Sequence, residues 1–264
     1  VLPSSDVRQF AFDVASNERV GDGIFRMVMH TPGLAPTLSP GQFVNVAVPG
    51  DPSHITRIPL SFAGTDPQAQ TIEIVYAVVG EGTARLSRMG EGDASTVLGP
   101  CGRGWRLDGV SGPALLVAGG VGAPPVLAAA RELSKRGVPF DVVLGAQTAG
   151  KLWGVGLAES LGAREVVVTT DDGTAGTKGF TTVAMEGLQR ERDYEAVLTC
   201  GPQPMMAGVA RLALEAGSAC QVSMERMMTC GFGACNTCNV AMAAGGYKAC
   251  CTDGPVFDAR EVAW

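Results

Sequence analysis

The chain has 264 residues, 46% of them hydrophobic, enough for a substantial core and more than one domain. Its formal net charge is −6, so the basic patch or stripe of a nucleic-acid binder is not expected. The longest apolar stretch, "PALLVAGGVGAPPVLAAA" (113–130), is interrupted by glycine and proline and makes a poor membrane span.

No basic region followed by an apolar run opens the sequence, so no export signal is read and a cytoplasmic protein is expected. Residues 1–108 read as β. "QFVNVAV" (42–48) and "TIEIVYAVV" (71–79) are strand-like, with turn signals at "PGDPS" and "GTDPQ" and a short helix around "TARLSRM". Short strands between Gly/Pro turns suggest a small barrel or sandwich. From about residue 112 the pattern alternates. Apolar strands are expected at "ALLVAGG", "PFDVVLGA", "EVVVTT", "YEAVLTCG" and "CQVSM". Helices are expected at "PPVLAAARELSKRG", "KLWGVGLAESLG", "TTVAMEGLQRE" and "PMMAGVARLALEAG", the first ending at Gly137 and the last at Gly217. That order predicts a five-stranded, parallel, doubly wound sheet. Residues 223–264 form a cysteine-rich tail too small for a core of its own, which implies a metal or a host surface. The expected units are 1–110, 111–222 and 223–264.

Ligands of an open parallel sheet bind beyond the carboxyl ends of its strands. "AGGVGAPP" (118–125) lies at such an end. Gly119, Gly120 and Gly122 let a phosphate approach the backbone, and the following helix N-terminus favours an anion. Pro125 stands where a third fingerprint glycine would be, so the segment alone reads equally well as a tight turn. In "TCGPQPMM" (199–206), Cys200, Gly201 and Pro202 would flank a nicotinamide ring; the plainer alternative is a strand–helix turn with core methionines. Asp171 and Asp172 follow a strand. Paired carboxylates repel the 2′-phosphate of NADP, while one can accept from a ribose 2′-OH, so NAD(H) is expected unless the pair is merely a solvated turn.

Five of the eight cysteines fall within residues 230–251. Cys101, Cys200 and Cys220 are scattered and read as small buried residues. In a long chain without an export signal, the cluster favours metal over disulfides. Cys230, Cys235 and Cys238 give C-x4-C-x2-C, and twelve residues separate Cys238 from Cys251. This is the plant-type spacing for a 2Fe–2S cluster, whereas structural zinc usually takes two close C-x2-C pairs. Either Cys250 or Cys251 would serve as the fourth ligand. His30 and His54 lie in turn-like β sequence and read as surface residues. No G-x-S-x-G or Cys–His arrangement stands out, so no catalytic side chain is expected beyond bound cofactors.

A β domain followed by strand–"GGVGAPP"–helix and strand–"CGP"–helix resembles the ferredoxin-NADP reductase superfamily. That resemblance implies FAD on a barrel and NAD(P)H on the second domain. Its flavin motif is matched by "TRIPLSF" (56–62) at Pro59, Leu60 and Ser61. Ile58 holds the usual arginine position, with Arg57 one residue early, which assigns the flavin phosphate to Arg57, Arg85 or another base. "VGEGTARLS" (79–87) is similar to the second flavin segment, with Gly80, Gly82 and Thr83 toward the pyrophosphate, and "GPCGRGW" (99–105) is similar to the barrel-closing segment. "PGQFVNVAVP", "TDDGTAGTKG", "SMERMMTCGFGACNTC" and "CTDGPVF" extend the likeness over nearly the whole chain. They resemble the electron-transfer subunits of NAD-dependent dihydroorotate dehydrogenases, of pyrimidine biosynthesis. The resemblance implies FAD, a 2Fe–2S cluster with Cys251 as fourth ligand, and NAD(H). It also implies an FMN-containing catalytic partner in a heterotetramer. The alternatives are the equivalent subunit of a hydrogenase, a bifurcating transhydrogenase or another flavin reductase, and a scaffold built on structural zinc.

Overall fold

The computed structural model describes residues 7–48, 50 and 56–264. His54 and most of the "PGDPS" turn lie outside them. The first part of the chain is a closed barrel of β1 (Arg8–Gly21), β2 (Ile24–His30), β3 (Phe43–Val46), β4 (Ile58–Asp66), β5 (Thr71–Ala77) and β6 (Ala94–Cys101). Their order is β1-β2-β5-β4-β3-β6, with β6 pairing back onto β1. The interior follows the period-2 pleat: Met27 and Met29, Val44 and Val46, and Ile72 and Ile74 are all buried. A six-residue helix, α1 (Glu81–Leu86), seats Leu86 in this core. β1 and β2 were not legible as separate strands. β1 is largely polar outward and slips register twice against β2, which blurs its alternation.

The five expected parallel strands form as β7 (Ala114–Gly119), β8 (Phe140–Ala146), β9 (Val166–Thr170), β11 (Ala196–Cys200) and β12 (Ala219–Ser223). All of β7, β11 and the first five residues of β8 are buried, because helices cover both faces. These helices are α2 (Ala123–Lys135), α3 (Val155–Ser160), α4 (Thr181–Glu191) and α5 (Gln203–Glu215). Pro124 and Pro125 occupy the first turn of α2, where missing N–H groups cost nothing.

The sheet is wider than expected, running from β10 (Thr177–Lys178) through β9, β8, β7, β11 and β12 to β15 (Val256–Asp258). β10 adds a short parallel edge, and β15, from the tail, pairs antiparallel with β12. The switch point, where the chain reverses its direction across the sheet, lies between β7 and β11.

The tail also contains a hairpin, β13 (Asn239–Ala241) and β14 (Tyr247–Ala249). It rests on both other parts. The Arg103 N–H donates to Gly254 O at 2.5 Å, and a Cβ on Gly231 would stand 1.9 Å from Asn45 Nδ2 of the barrel. That contact explains why β3 is buried on both faces. Among the described residues, no helix is long and apolar enough to cross a membrane.

Candidate functional site

The two glycine loops at the switch point interlock. A Cβ on Gly122 would lie 2.2 Å from the carbonyl oxygen of Cys200, and one on Gly119 would meet Met205 Sδ at 2.6 Å. Gly201, at φ +152°, presses against the backbone of Gly119. Any larger residue at 122 would separate β7 from the β11–α5 turn. Gly120, at φ +54°, has open space around its missing side chain.

Beside these loops a cavity of about 300 Å³ opens between barrel and sheet. Pro59, Leu60, Ser61 and Tyr76 line it from the barrel, Val121 from the β7–α2 loop, and Ser223 from the end of β12. This is a predominantly apolar slot with a few convergent polar groups, as ligand sites usually are. Thr83 also borders it. Its hydroxyl is engaged locally, donating to Gly80 O and accepting from the Val79 and Gly80 N–H groups. Gly82 is a packing position, since a Cβ there would meet Ile58 Cδ1 at 2.8 Å.

Arg57 does not line the cavity. Its guanidinium donates to Thr96 O at 2.9 Å, Thr96 Oγ1 at 3.0 Å and Gln9 Oε1 at 2.8 Å, which binds it to β6 and β1. Arg85 pairs with Glu81 at 2.6 Å. Cys200 is buried at the end of β11 and hydrogen-bonded to Ser223, one layer behind the cavity; burial pushes its thiol pKa well up. Cys101 and Cys220 are likewise buried and raised to about 12 by desolvation. His30 is exposed and bonded to Asp13.

Sequence reasoning passed over Met224, Glu225, Arg226 and Met228, which all line the cavity. They were read only as part of a family signature. The Glu225 carboxyl sits at the exposed mouth, yet crowding by neighbouring atoms raises its pKa through desolvation. Two residues after Met228 comes Cys230, and two residues of chain reach no further than about 7 Å. The segment therefore runs directly from the cavity into the cysteine loop.

The four thiols assemble in pairs. The Cys251 N–H donates to Cys238 Sγ at 3.4 Å, and the Cys230 thiol lies close enough to Cys235 to influence its protonation. Among the described residues no three metal-ligating side chains gather around one point. The C-x4-C-x2-C spacing of Cys230, Cys235 and Cys238, with Cys251 beyond, is the chemistry of a donor set that gives two thiolates to each of two irons. Gly231 at φ +76° and Gly233 at φ +89° bend the loop so that backbone N–H groups turn toward sulfur. The Gly233 N–H bonds to Cys251. The Thr237 hydroxyl donates to Cys235 Sγ at 3.2 Å; this contact and the Thr237 N–H bring that thiol's pKa down to about 6. Cys250 turns the other way. Its Sγ donates to Met224 O at 3.1 Å, and burial raises it to about 12. Of the two neighbouring thiols, Cys251 is the one that turns toward Cys238 and Cys230.

Asp171 and Asp172 lie exposed just past β9, at the sheet edge that carries the glycine loops. Asp172 Oδ1 accepts from the Thr174 N–H at 3.0 Å and its hydroxyl at 2.7 Å, which lowers its pKa. Asp171 has no side-chain partner among the described residues, and it is the open carboxylate of the two.

A barrel, a doubly wound sheet and a cavity at their junction define a flavin- and nicotinamide-dependent reductase of the ferredoxin reductase type. A solved chain of an NADH-dependent reduced ferredoxin-NADP oxidoreductase, described for flavin-based electron bifurcation, superposes with a TM-score of 0.87 at 34% identity. The match covers 96% of this chain and 90% of that one. Residues 225–263 match the iron–sulfur cluster binding domain of dihydroorotate dehydrogenase B. The dihydroorotate dehydrogenase B (NAD(+)) electron transfer subunit of Caldanaerobacter subterraneus subsp. tengcongensis is 38% identical, over 94% of this chain and 96% of its own length. That of Fusobacterium nucleatum subsp. nucleatum is 32% identical over the same shares. The chain belongs to the family of dihydroorotate dehydrogenase B (NAD(+)) electron transfer subunits, NAD-linked oxidoreductase components.

Proposed function

We propose that this chain carries electrons between a catalytic dihydroorotate dehydrogenase subunit and NAD(H), and that it works in the cytoplasm as part of a heterotetramer. The observation that carries this reading is the continuity of cavity and cysteine loop. Met228 lines one and Cys230 opens the other, and the Cys250 thiol ties the loop to Met224 of the cavity wall.

In this reading the barrel (1–110) holds FAD, the sheet (111–222) holds NAD(H), and the tail (223–264) holds a 2Fe–2S cluster on Cys230, Cys235, Cys238 and Cys251. Bound flavin would supply the exchange between single electrons and hydride. The chain's own residues position and shield. Pro59, Leu60, Ser61 and Tyr76 form one wall of the flavin slot, Gly82 lets the α1 turn sit close to the barrel, and Gly80 at the start of that turn leaves open space toward the pyrophosphate. Gly119, Gly120, Gly122, Gly201 and Pro202 shape the nicotinamide crevice, with Ser223 on the cavity wall and Cys200 buried behind it. Asp171 accepts from the adenosine ribose, and Asp172 fixes the turn that presents it. Arg57 acts as a brace of the barrel rim. The partner is an FMN-containing subunit, which does the chemistry on dihydroorotate.

The test is reconstitution with such a partner. Dihydroorotate-dependent reduction of NAD+ should require both subunits, and a Cys251→Ser variant should abolish the coupled rate while the partner alone still reduces dyes. A coupled rate unaffected by loss of the cluster would refute the proposal. The 34% identity to the bifurcating oxidoreductase favours a second reading, in which the same module serves a bifurcating complex. Failure with the dihydroorotate partner, together with NADH oxidation coupled to a ferredoxin-linked flavoprotein, would select it.

A further inference from the structure

Thr252 follows Cys251, and its hydroxyl oxygen is shielded from solvent with no hydrogen-bond partner. A buried hydroxyl without a partner is costly, so such groups in native proteins normally face an ion, a water or a ligand. The surroundings narrow the choice. The Thr252 N–H is committed to Ala249 O at 3.2 Å. Its side chain packs on Gly233, where a Cβ would meet Thr252 Cγ2 at 2.7 Å and Oγ1 at 3.8 Å. The Gly233 N–H in turn bonds to Cys251. The hydroxyl is thus enclosed between the loop that carries Cys230 and Cys235 and the ligand-bearing turn at Cys251. A second threonine provides a contrast. Thr237, on the exposed side of the same loop, already donates its hydroxyl to Cys235 Sγ at 3.2 Å.

We infer that the Thr252 hydroxyl donates a hydrogen bond to a sulfur of the bound 2Fe–2S cluster and so sets its reduction potential. This rests on the proposal that Cys230, Cys235, Cys238 and Cys251 hold the cluster. The physical basis is charge. One-electron reduction adds negative charge that spreads over the cluster sulfurs, and a fixed donor stabilises the reduced form more than the oxidised one. Thr252 is a positioning residue that acts on electron flow through the potential.

Two substitutions separate hydroxyl from methyl. Thr252→Val keeps the shape that packs on Gly233 and removes the donor. Thr252→Ser keeps the donor and removes the methyl. Midpoint potentials of the cluster would be measured in the FAD-loaded holoprotein by EPR-monitored reductive titration. The expected result is a full complement of cluster in both variants, a potential shifted to lower values in Thr252→Val, and a wild-type potential in Thr252→Ser. An unchanged potential in Thr252→Val would overturn the inference, as would an equal shift in both. If valine prevents assembly, Thr252→Ala gives the same reading: it must shift while serine does not. Failure of the underlying proposal looks different, since wild-type protein would then hold no 2Fe–2S cluster, or Cys251→Ser would leave the cluster intact.

Discussion

The parallel sheet and the cysteine tail are held together by different physics. In the sheet, β7 and β11 are buried along their whole length, and helices seal both faces. Its stability is that of apolar burial. The tail has no core of its own: its buried Met224, Val240, Met242, Phe257 and Val262 pack into a cluster shared with the sheet. Cys238, Cys250 and Cys251 are among its buried groups, and much of its backbone leans on Asn45, Gly102 and β12 of the other two parts. A small unit of this kind gains order from a metal centre and a host surface. The sheet should therefore survive loss of the cluster, while the tail should not keep its order.

The largest expected effect follows from that contrast. Cys251→Ser should eliminate the 2Fe–2S absorbance and EPR signal, and Cys250→Ser should retain both, as metal analysis and spectra of the two variants would check. Equal loss in both would break the assignment of facing directions. Next comes the switch point. Gly122→Val places three heavy atoms where Cys200 O already stands, and should abolish NADH binding or prevent folding, as calorimetry and circular dichroism would separate. Within the sheet, Leu116 is fully buried, so Leu116→Ala should cost about 2–5 kcal/mol in urea unfolding, with the cluster unaffected.

A smaller effect belongs to cofactor choice. Asp171→Ser should lower discrimination against NADPH by about tenfold, equivalent to about 1.4 kcal/mol, whereas Asp172→Ser should act mainly by loosening the turn. Steady-state KM values for NADH and NADPH would decide it. The smallest effect is one of reactivity. In cluster-free protein the Cys235 pKa is lowered to about 6, so its thiolate is present above that pH and vanishes below it. Cys250, raised to about 12, stays a thiol throughout the neutral range. Alkylation at pH 7 followed by mass spectrometry should label Cys235 and spare Cys250.

What could be read in advance divides along the same line. The five sheet strands were legible because burial leaves continuous apolar runs, and the cysteine cluster stood out because its spacing is that of a two-iron centre. Pairings that depend on distant residues were not. β15 joins β12 only because the tail folds back, and nothing in "GPVFD" by itself signals it. Arg57 is one of several bases the sequence offers for the flavin phosphate, and nothing in "TRIPLS" signals that Thr96 and Gln9 accept from its guanidinium. Cys250 and Cys251 are neighbours of identical type, and only the turn geometry sends one thiol to Met224 and the other to Cys238. The cavity-lining Met224 and Met228 carried no chemical signal, since methionine is a common core residue.

The central claim is that cavity and cysteine loop form one continuous electron path to NAD(H). It is tested most directly by titrating anaerobic, FAD- and cluster-loaded protein with NADH while following visible absorbance and EPR together. The flavin bands should bleach and the reduced-cluster signal should rise in the same titration. Bleaching of flavin with a cluster that stays oxidised, yet is reducible by dithionite, would contradict it.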